Sequence, residues 1–117
     1  MKHDPRLLAD ILDSMKNPVL FADREHIVRY MNKAAAAHYS EGEALLGSSL
    51  FDCHNAESGR IMREVFAEME EGLEERRITD NEKFRIYMRA VRDGEGKLIG
   101  YYERYEPPVK AEERDGS

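Results

Sequence analysis

The spacing of hydrophobic residues changes several times along the 117-residue chain, and the first segment has helical spacing. Apolar residues between positions 4 and 15 fall on one helical stripe, which predicts an amphipathic helix; they are Leu7, Leu8, Ile11, Leu12 and Met15. Asp4 suits the cap, Pro5 suits the first helical position, and Asn17-Pro18 ends the helix. Such a helix either packs on its own sheet or pairs with the same helix of a second chain.

Two short apolar runs follow this helix. Residues 19–22 and 26–31 predict strands, and the polar link between them is short enough to favour an antiparallel hairpin. Asn32 then caps a helix at 33–39, where four consecutive alanines favour helix and allow close approach to a sheet. A further helical turn is predicted at 41–46, before Gly47.

The second half of the chain begins with its clearest helix, predicted at 57–71 with Asn55 as the cap. Its buried stripe consists of Ile61, Met62, Val65, Phe66 and Met69. A polar strand with a loop is predicted at 74–82. Strict alternation predicts a half-exposed strand at 84–90. A turn at 93–96 leads into a last strand at 98–105.

Strands at both ends with helices between them predict a single α+β domain, with one antiparallel sheet covered by helices on one face. We expect an N-terminal helix at 1–17, the main domain at 18–106, and a charged, disordered tail at 107–117 that starts at Pro107-Pro108.

Composition excludes several classes of protein. The formal charge of −6 argues against nucleic acid and anionic membranes as partners, because both favour basic patches. A single cysteine excludes an internal disulfide framework and a C-x-x-C-H haem attachment. No apolar run approaches the roughly 18 residues of a membrane span, and no signal peptide is evident. We therefore expect a cytoplasmic protein.

The stretch at 46–58 contains the chemically interesting residues, because it holds Cys53 beside His54. A thiol at a helix N-terminus is a candidate redox group, with a small buried side chain as the alternative. His54 with Asp52 and Glu57 is a candidate metal trio, although these residue types are generic. Ser48 lacks a G-x-S-x-G elbow and 94–96 is a hairpin turn, so we do not expect an enzyme.

Four segments together resemble a PAS domain: residues 19–23, 27–35, 46–50 and 89–100. The resemblance covers roughly residues 8–106 and depends on their order and spacing. Asp52-Cys53-His54 followed by Ser58 is also similar to PAS modules found with hemerythrin-like domains in bacterial proteins, although Asn55-Ala56 stands where those relatives carry prolines.

The resemblance implies a five-stranded antiparallel sheet of order 2-1-5-4-3 and a pocket between sheet and helices. It also implies sensing and protein–protein signalling, usually as a homodimer, of the kind used in two-component signalling. Ligands of the family include haem, flavin, small organic acids and fatty acids, and some members bind none.

Within that resemblance, His54 is the candidate haem-iron ligand, with a loop hydrogen bond as the alternative. The pocket is expected to involve Met62, Val65, Phe66, Met88 and Arg77, although methionines at such spacing also serve as core filler and Arg77 also suits a solvated position. The flavin-reactive cysteine of the light-sensing branch follows the glycine by three residues. Here Leu50 holds that position and Cys53 lies six after Gly47, so flavin photochemistry is not expected.

Two functions remain open from the sequence. One is a sensor that binds a small ligand or haem and signals to a separate kinase or regulator, unless the chain is itself part of such a protein. The other is a ligand-free interaction and dimerisation module. Pocket volume separates them, since a cavity of several hundred Å³ favours the sensor and a filled core favours the module.

Overall fold

The computed structural model describes residues 4–109, apart from the Cys53 side chain, so most of the predicted disordered tail lies outside the described residues. The elements in chain order are α1 (Pro5–Asp13), β1 (Val19–Asp23), β2 (Val28–Met31), α2 (Lys33–His38), α3 (Ala56–Glu70), β3 (Glu75–Asp80), β4 (Arg85–Arg92) and β5 (Leu98–Glu106). Two single-turn 3₁₀ helices, at Gly42–Leu45 and Leu50–Cys53, connect α2 to α3.

The five strands form one antiparallel sheet in the order β2-β1-β5-β4-β3. This confirms the predicted α+β fold and strand order. The central strand is β5, which pairs with β1 on one side and β4 on the other. β5 therefore has a paired strand on each edge, as β1 and β4 also have.

The hydrophobic core lies between α3 and one face of the sheet, which we call the inner face. The predicted stripe of α3 is buried at Met62, Val65, Phe66 and Met69. These side chains belong to one apolar cluster with inner-face residues of β1, β4 and β5, including Leu20, Ala22, Met88, Ala90 and Tyr101. Asn55 caps α3 as predicted, since its side chain accepts a hydrogen bond from Ser58 N.

Asn32 joins the N-terminal helix to the sheet. It is fully buried, and its Oδ1 accepts hydrogen bonds from Val19 N and Ala35 N at 3.0 and 2.9 Å. Its Nδ2 donates to the carbonyl oxygens of Leu12 and Asn17 at 3.0 and 3.1 Å. The residue predicted only as a helix cap therefore also fixes the end of α1 beside the start of β1.

Strand β2 is shorter than predicted and begins at Val28 instead of position 26. His26 has a φ of 64°, in the left-handed region that an L-residue in a strand does not occupy. Its ring packs against Phe51 and Phe66, with centroid distances of 4.6 and 5.0 Å, and its Nδ1 lies 2.7 Å from the Tyr101 hydroxyl. These contacts accompany the turn that interrupts the predicted strand.

Candidate functional site

An inner cavity of about 170 Å³ lies between α3 and the β3–β5 half of the sheet. Its lining is mostly apolar with a few polar groups, and consists of His54, Ser58, Ile61, Met62, Ile78, Thr79, Phe84, Ile86 and Glu103. An apolar cavity with a few convergent polar groups is the usual form of a small-molecule site.

Glu103 is the unusual member of this lining. Alternation along β5 places it on the inner face, where it is 1% exposed. Its neighbours on the adjacent strands are Leu20 and Met88, which are both fully buried. Burial raises the pKa of the Glu103 carboxyl above its ordinary value, and attraction to His54 partly offsets this shift. A carboxyl group therefore occupies a position in the sheet that is otherwise apolar.

Two tyrosines connect this carboxyl to α2. The Tyr39 hydroxyl lies 3.4 Å from Glu103 Oε2 and 2.8 Å from the Tyr105 hydroxyl. The His38 ring packs on the Tyr105 ring at 4.8 Å and on the Phe84 ring at 5.8 Å between centroids. A short series of side-chain contacts therefore connects Glu103 to α2.

His54 reaches the same cavity from the start of α3. Its Nδ1 lies 2.8 Å from the Leu50 carbonyl oxygen. A carbonyl only accepts hydrogen bonds, so His54 Nδ1 carries the proton of this bond. The hydrogen bond to the loop, which was the alternative role for this residue, is present.

The structure brings only part of the predicted site together. Met62 and His54 line the cavity, whereas Val65, Phe66 and Met88 belong to the core cluster and are absent from the lining. The Arg77 side chain is 53% exposed, lies 3.6 Å from Asp80, and is likewise absent from the lining.

Sequence reasoning missed Glu103, although the signal was present. Tyr101, Glu103 and Tyr105 alternate with Tyr102 and Arg104, so Glu103 had to share the face of two tyrosines. The other missed polar residues, Ser58 and Thr79, carry no such signal.

The size of the inner cavity and its side chains determine whether a haem or a metal ion fits there. A volume of about 170 Å³ lies below the usual 300–1,000 Å³ of sites for drug-sized ligands, and a haem is larger than most such ligands. The cavity in this conformation therefore does not accommodate haem. Within residues 4–109, leaving aside the Cys53 side chain, no three His, Cys, Asp or Glu side chains converge as a metal site.

A second depression lies on the opposite, outer face of the sheet, beside the end of α1. This outer groove measures about 460 Å³ and is lined by Leu12, Met15, Val19, Phe21, Tyr30, Tyr102 and Arg104. The α1 helix buries none of its residues, and Leu7, Leu8 and Ile11 are about half exposed. Exposed apolar side chains of α1 are thus present in addition to the α1 residue Leu12 that lines the groove.

Comparison with known proteins identifies the family. A family model described as "PAS domain" matches residues 8–106, so the chain belongs to the PAS domain family. Members of this family are generally sensory modules. The search of curated proteins gave no match. None of the helices in residues 4–109 is long and apolar enough to span a bilayer.

Solved structures share the fold at low sequence identity. A C-terminal domain from Streptococcus mutans is 16% identical with a TM-score of 0.76, covering 92% of this chain and 90% of that one. A PAS domain from Colwellia psychrerythraea is 13% identical with a TM-score of 0.64, covering 87% and 94%. The Aer2 receptor of Vibrio cholerae, described as a dual PAS-heme oxygen sensor, is 19% identical with a TM-score of 0.56, covering 81% and 96%.

Proposed function

We propose that this PAS domain is a sensor that binds a small ligand in the inner cavity, between Glu103 and His54. The observation that carries the proposal is a fully buried carboxyl group on the central strand that lines a cavity. Burying a polar group in an apolar core is costly, and residues that break the local pattern are concentrated at functional sites.

The ligand would act by shifting a conformational equilibrium. Met62 on α3 and Glu103 on β5 both line the cavity, so an occupant contacts the helix and the sheet at once. A ligand that binds one packing of α3 more tightly than another shifts the population toward it. The shift would reach a separate kinase or regulator through surface contacts, with no catalytic step in this domain.

Cavity size sets the ligand class that we favour. The core is not completely filled, and the cavity of about 170 Å³ is smaller than the several hundred Å³ that we expected for a sensor. It is close to that of an engineered cavity of about 150 Å³ that binds benzene. We therefore favour a compact ligand, and haem binding through His54 would require α3 to move away from the sheet.

Native mass spectrometry of freshly purified protein, with an absorption spectrum, tests this function. We expect a small bound mass that Ile78→Phe, which adds a ring to the cavity wall, removes. Ile99→Phe is the matched control, because Ile99 is 40% exposed. A bound mass that survives Ile78→Phe contradicts the site. A Soret band after haemin addition that His54→Ala weakens would instead support haem.

The second candidate is a dimerisation module, and the exposed stripe of α1 together with the outer groove favours it. We propose that a second copy of the chain covers this surface, since the same apolar patch on both copies can form a two-fold interface. Deleting residues 1–16 should give a monomer by light scattering. Ile11→Glu should weaken the dimer and Arg6→Glu should not; a dimer unaffected by either change places the interface elsewhere.

A further inference from the structure

We propose that the inner cavity selects a small organic cation, an ammonium or amidinium group on a compact apolar body, with Glu103 as its counter-charge. The inference rests on the proposed function and names the ligand class of the same site. It follows from the charges, the apolar walls and the volume of the cavity.

The charges of the lining residues favour a cation. Glu103 is the one carboxyl among them, and none of them is a lysine or arginine. An anionic ligand would therefore lie beside a carboxylate in a mostly apolar cavity and find only His54 as a basic group. A cationic ligand supplies the partner that a buried ionised carboxylate requires.

The remaining lining fits the other parts of such a ligand. Five apolar side chains form most of the wall, namely Ile61, Met62, Ile78, Phe84 and Ile86. Ser58 and Thr79 belong to the same lining, and a hydroxyl oxygen can accept a hydrogen bond from a further N–H group. A ring or branched chain of about the size of benzene matches the volume.

Proton release follows from the same geometry. Burial favours the neutral form of Glu103, so the arrival of a cation makes its ionisation favourable and releases its proton to solvent. The titratable groups that face this carboxyl are His54 at the start of α3, Tyr39 after α2, and Tyr101 and Tyr105 on β5.

Isothermal titration of the full chain with three matched probes tests the inference: cyclohexylamine, cyclohexanol and cyclohexanecarboxylate. We expect the amine to bind about tenfold more tightly than the alcohol, because charge-assisted hydrogen bonds are roughly twice as strong as neutral ones. The carboxylate should bind most weakly. In two buffers of different ionisation enthalpy, the amine's heat should show proton release by the wild-type protein.

Two variants assign the effect to the carboxyl. Glu103→Gln should lower the affinity for the amine to that for the alcohol and abolish proton release. Glu106→Gln, on the outer face of the same strand, should change neither the affinity nor the proton release. Proton release is measured on wild-type protein, so the test does not depend on folding of Glu103→Gln.

The outcomes separate the two proposals. If the alcohol binds as tightly as the amine, or if no proton is released, the cavity binds ligands without selecting cations; this overturns the inference and leaves the proposed function intact. If none of the probes binds, or if binding survives Ile78→Phe, the cavity is not the site and both proposals are wrong.

Discussion

The two faces of β5 place the same residue type in opposite environments. Glu106 lies on the outer face, where its carboxylate is 2.8 Å from Arg104 Nε and 3.4 Å from Arg85. Glu103, three positions earlier, is buried on the inner face beside a cavity with no arginine or lysine in its lining. The pair shows that the side of a strand decides whether a glutamate is a surface ion-pair partner or a buried carboxyl.

The tyrosines of the strand show the same contrast. Tyr101 is fully buried on the inner face, and its hydroxyl lies 2.7 Å from His26 Nδ1. Tyr102 is half-buried and lines the outer groove with Arg104. Arg104 lies over the Tyr87 ring at 4.4 Å and forms an ion pair with Glu75. The outer face is therefore stabilised by solvent-accessible polar contacts, whereas the inner face is stabilised by packing of buried side chains.

The largest expected effect is on stability, and it differs between alanine variants of the two tyrosines. Tyr101→Ala should lower the free energy of unfolding by about 3–5 kcal/mol, because it leaves a large cavity in the core. Tyr102→Ala should cost about 1 kcal/mol, as for a partly exposed residue. Urea denaturation of both variants measures the difference. Equal losses would contradict the assignment of the two faces.

An intermediate effect is expected from Glu103→Gln and depends on pH. Because burial raises the Glu103 pKa, the folded chain binds more protons than the unfolded chain between the two pKa values. Wild-type stability should therefore fall as pH rises from the ordinary carboxyl range through the folded pKa. The variant lacks this slope and should be about 1–3 kcal/mol more stable at neutral pH.

Urea unfolding across a pH series checks this expectation. The two proteins should converge in stability at the acid end, where Glu103 is protonated in both the folded and the unfolded state. A wild-type curve with the same slope as the variant would show that Glu103 is not the titrating group.

The smallest effect is expected on the outer face. Glu106→Gln should cost about 0.5–1 kcal/mol, because half-exposed ion pairs contribute little. The loss should become smaller near 1 M salt, where the screening length falls to about 3 Å. Chemical denaturation with urea at low and high salt measures it. A loss that is independent of salt would mean that Glu106 acts through packing.

Much of the fold followed from local patterns. The stripe of α3, the cap at Asn55, the turn at 93–96 and the alternation of β4 each predicted their elements, because periodicity and capping depend on residues close in sequence. The start of β2 was missed because the contacts of His26 come from Phe51, Phe66 and Tyr101, far along the chain.

The site was predictable only in part, and for the same reason. Met62 was predicted for the pocket from the apolar stripe of α3 and His54 from the family resemblance, and both residues line the cavity. Arg77 was a candidate for the pocket with a solvated position as the alternative, and in the structure its side chain is 53% exposed and lies 3.6 Å from Asp80.

The sequence alone determined the class of fold, the order of elements and the amphipathic faces of α1 and α3, because these depend on local spacing and capping. The family resemblance implied the strand order that places β5 at the centre of the sheet. Only the tertiary structure decided that Glu103 faces a cavity between α3 and the sheet. Burial and the resulting shift in the Glu103 pKa arise from residues distant in sequence, namely Leu20, His54 and Met88. Their convergence depends on strand order and register, which no local pattern encodes.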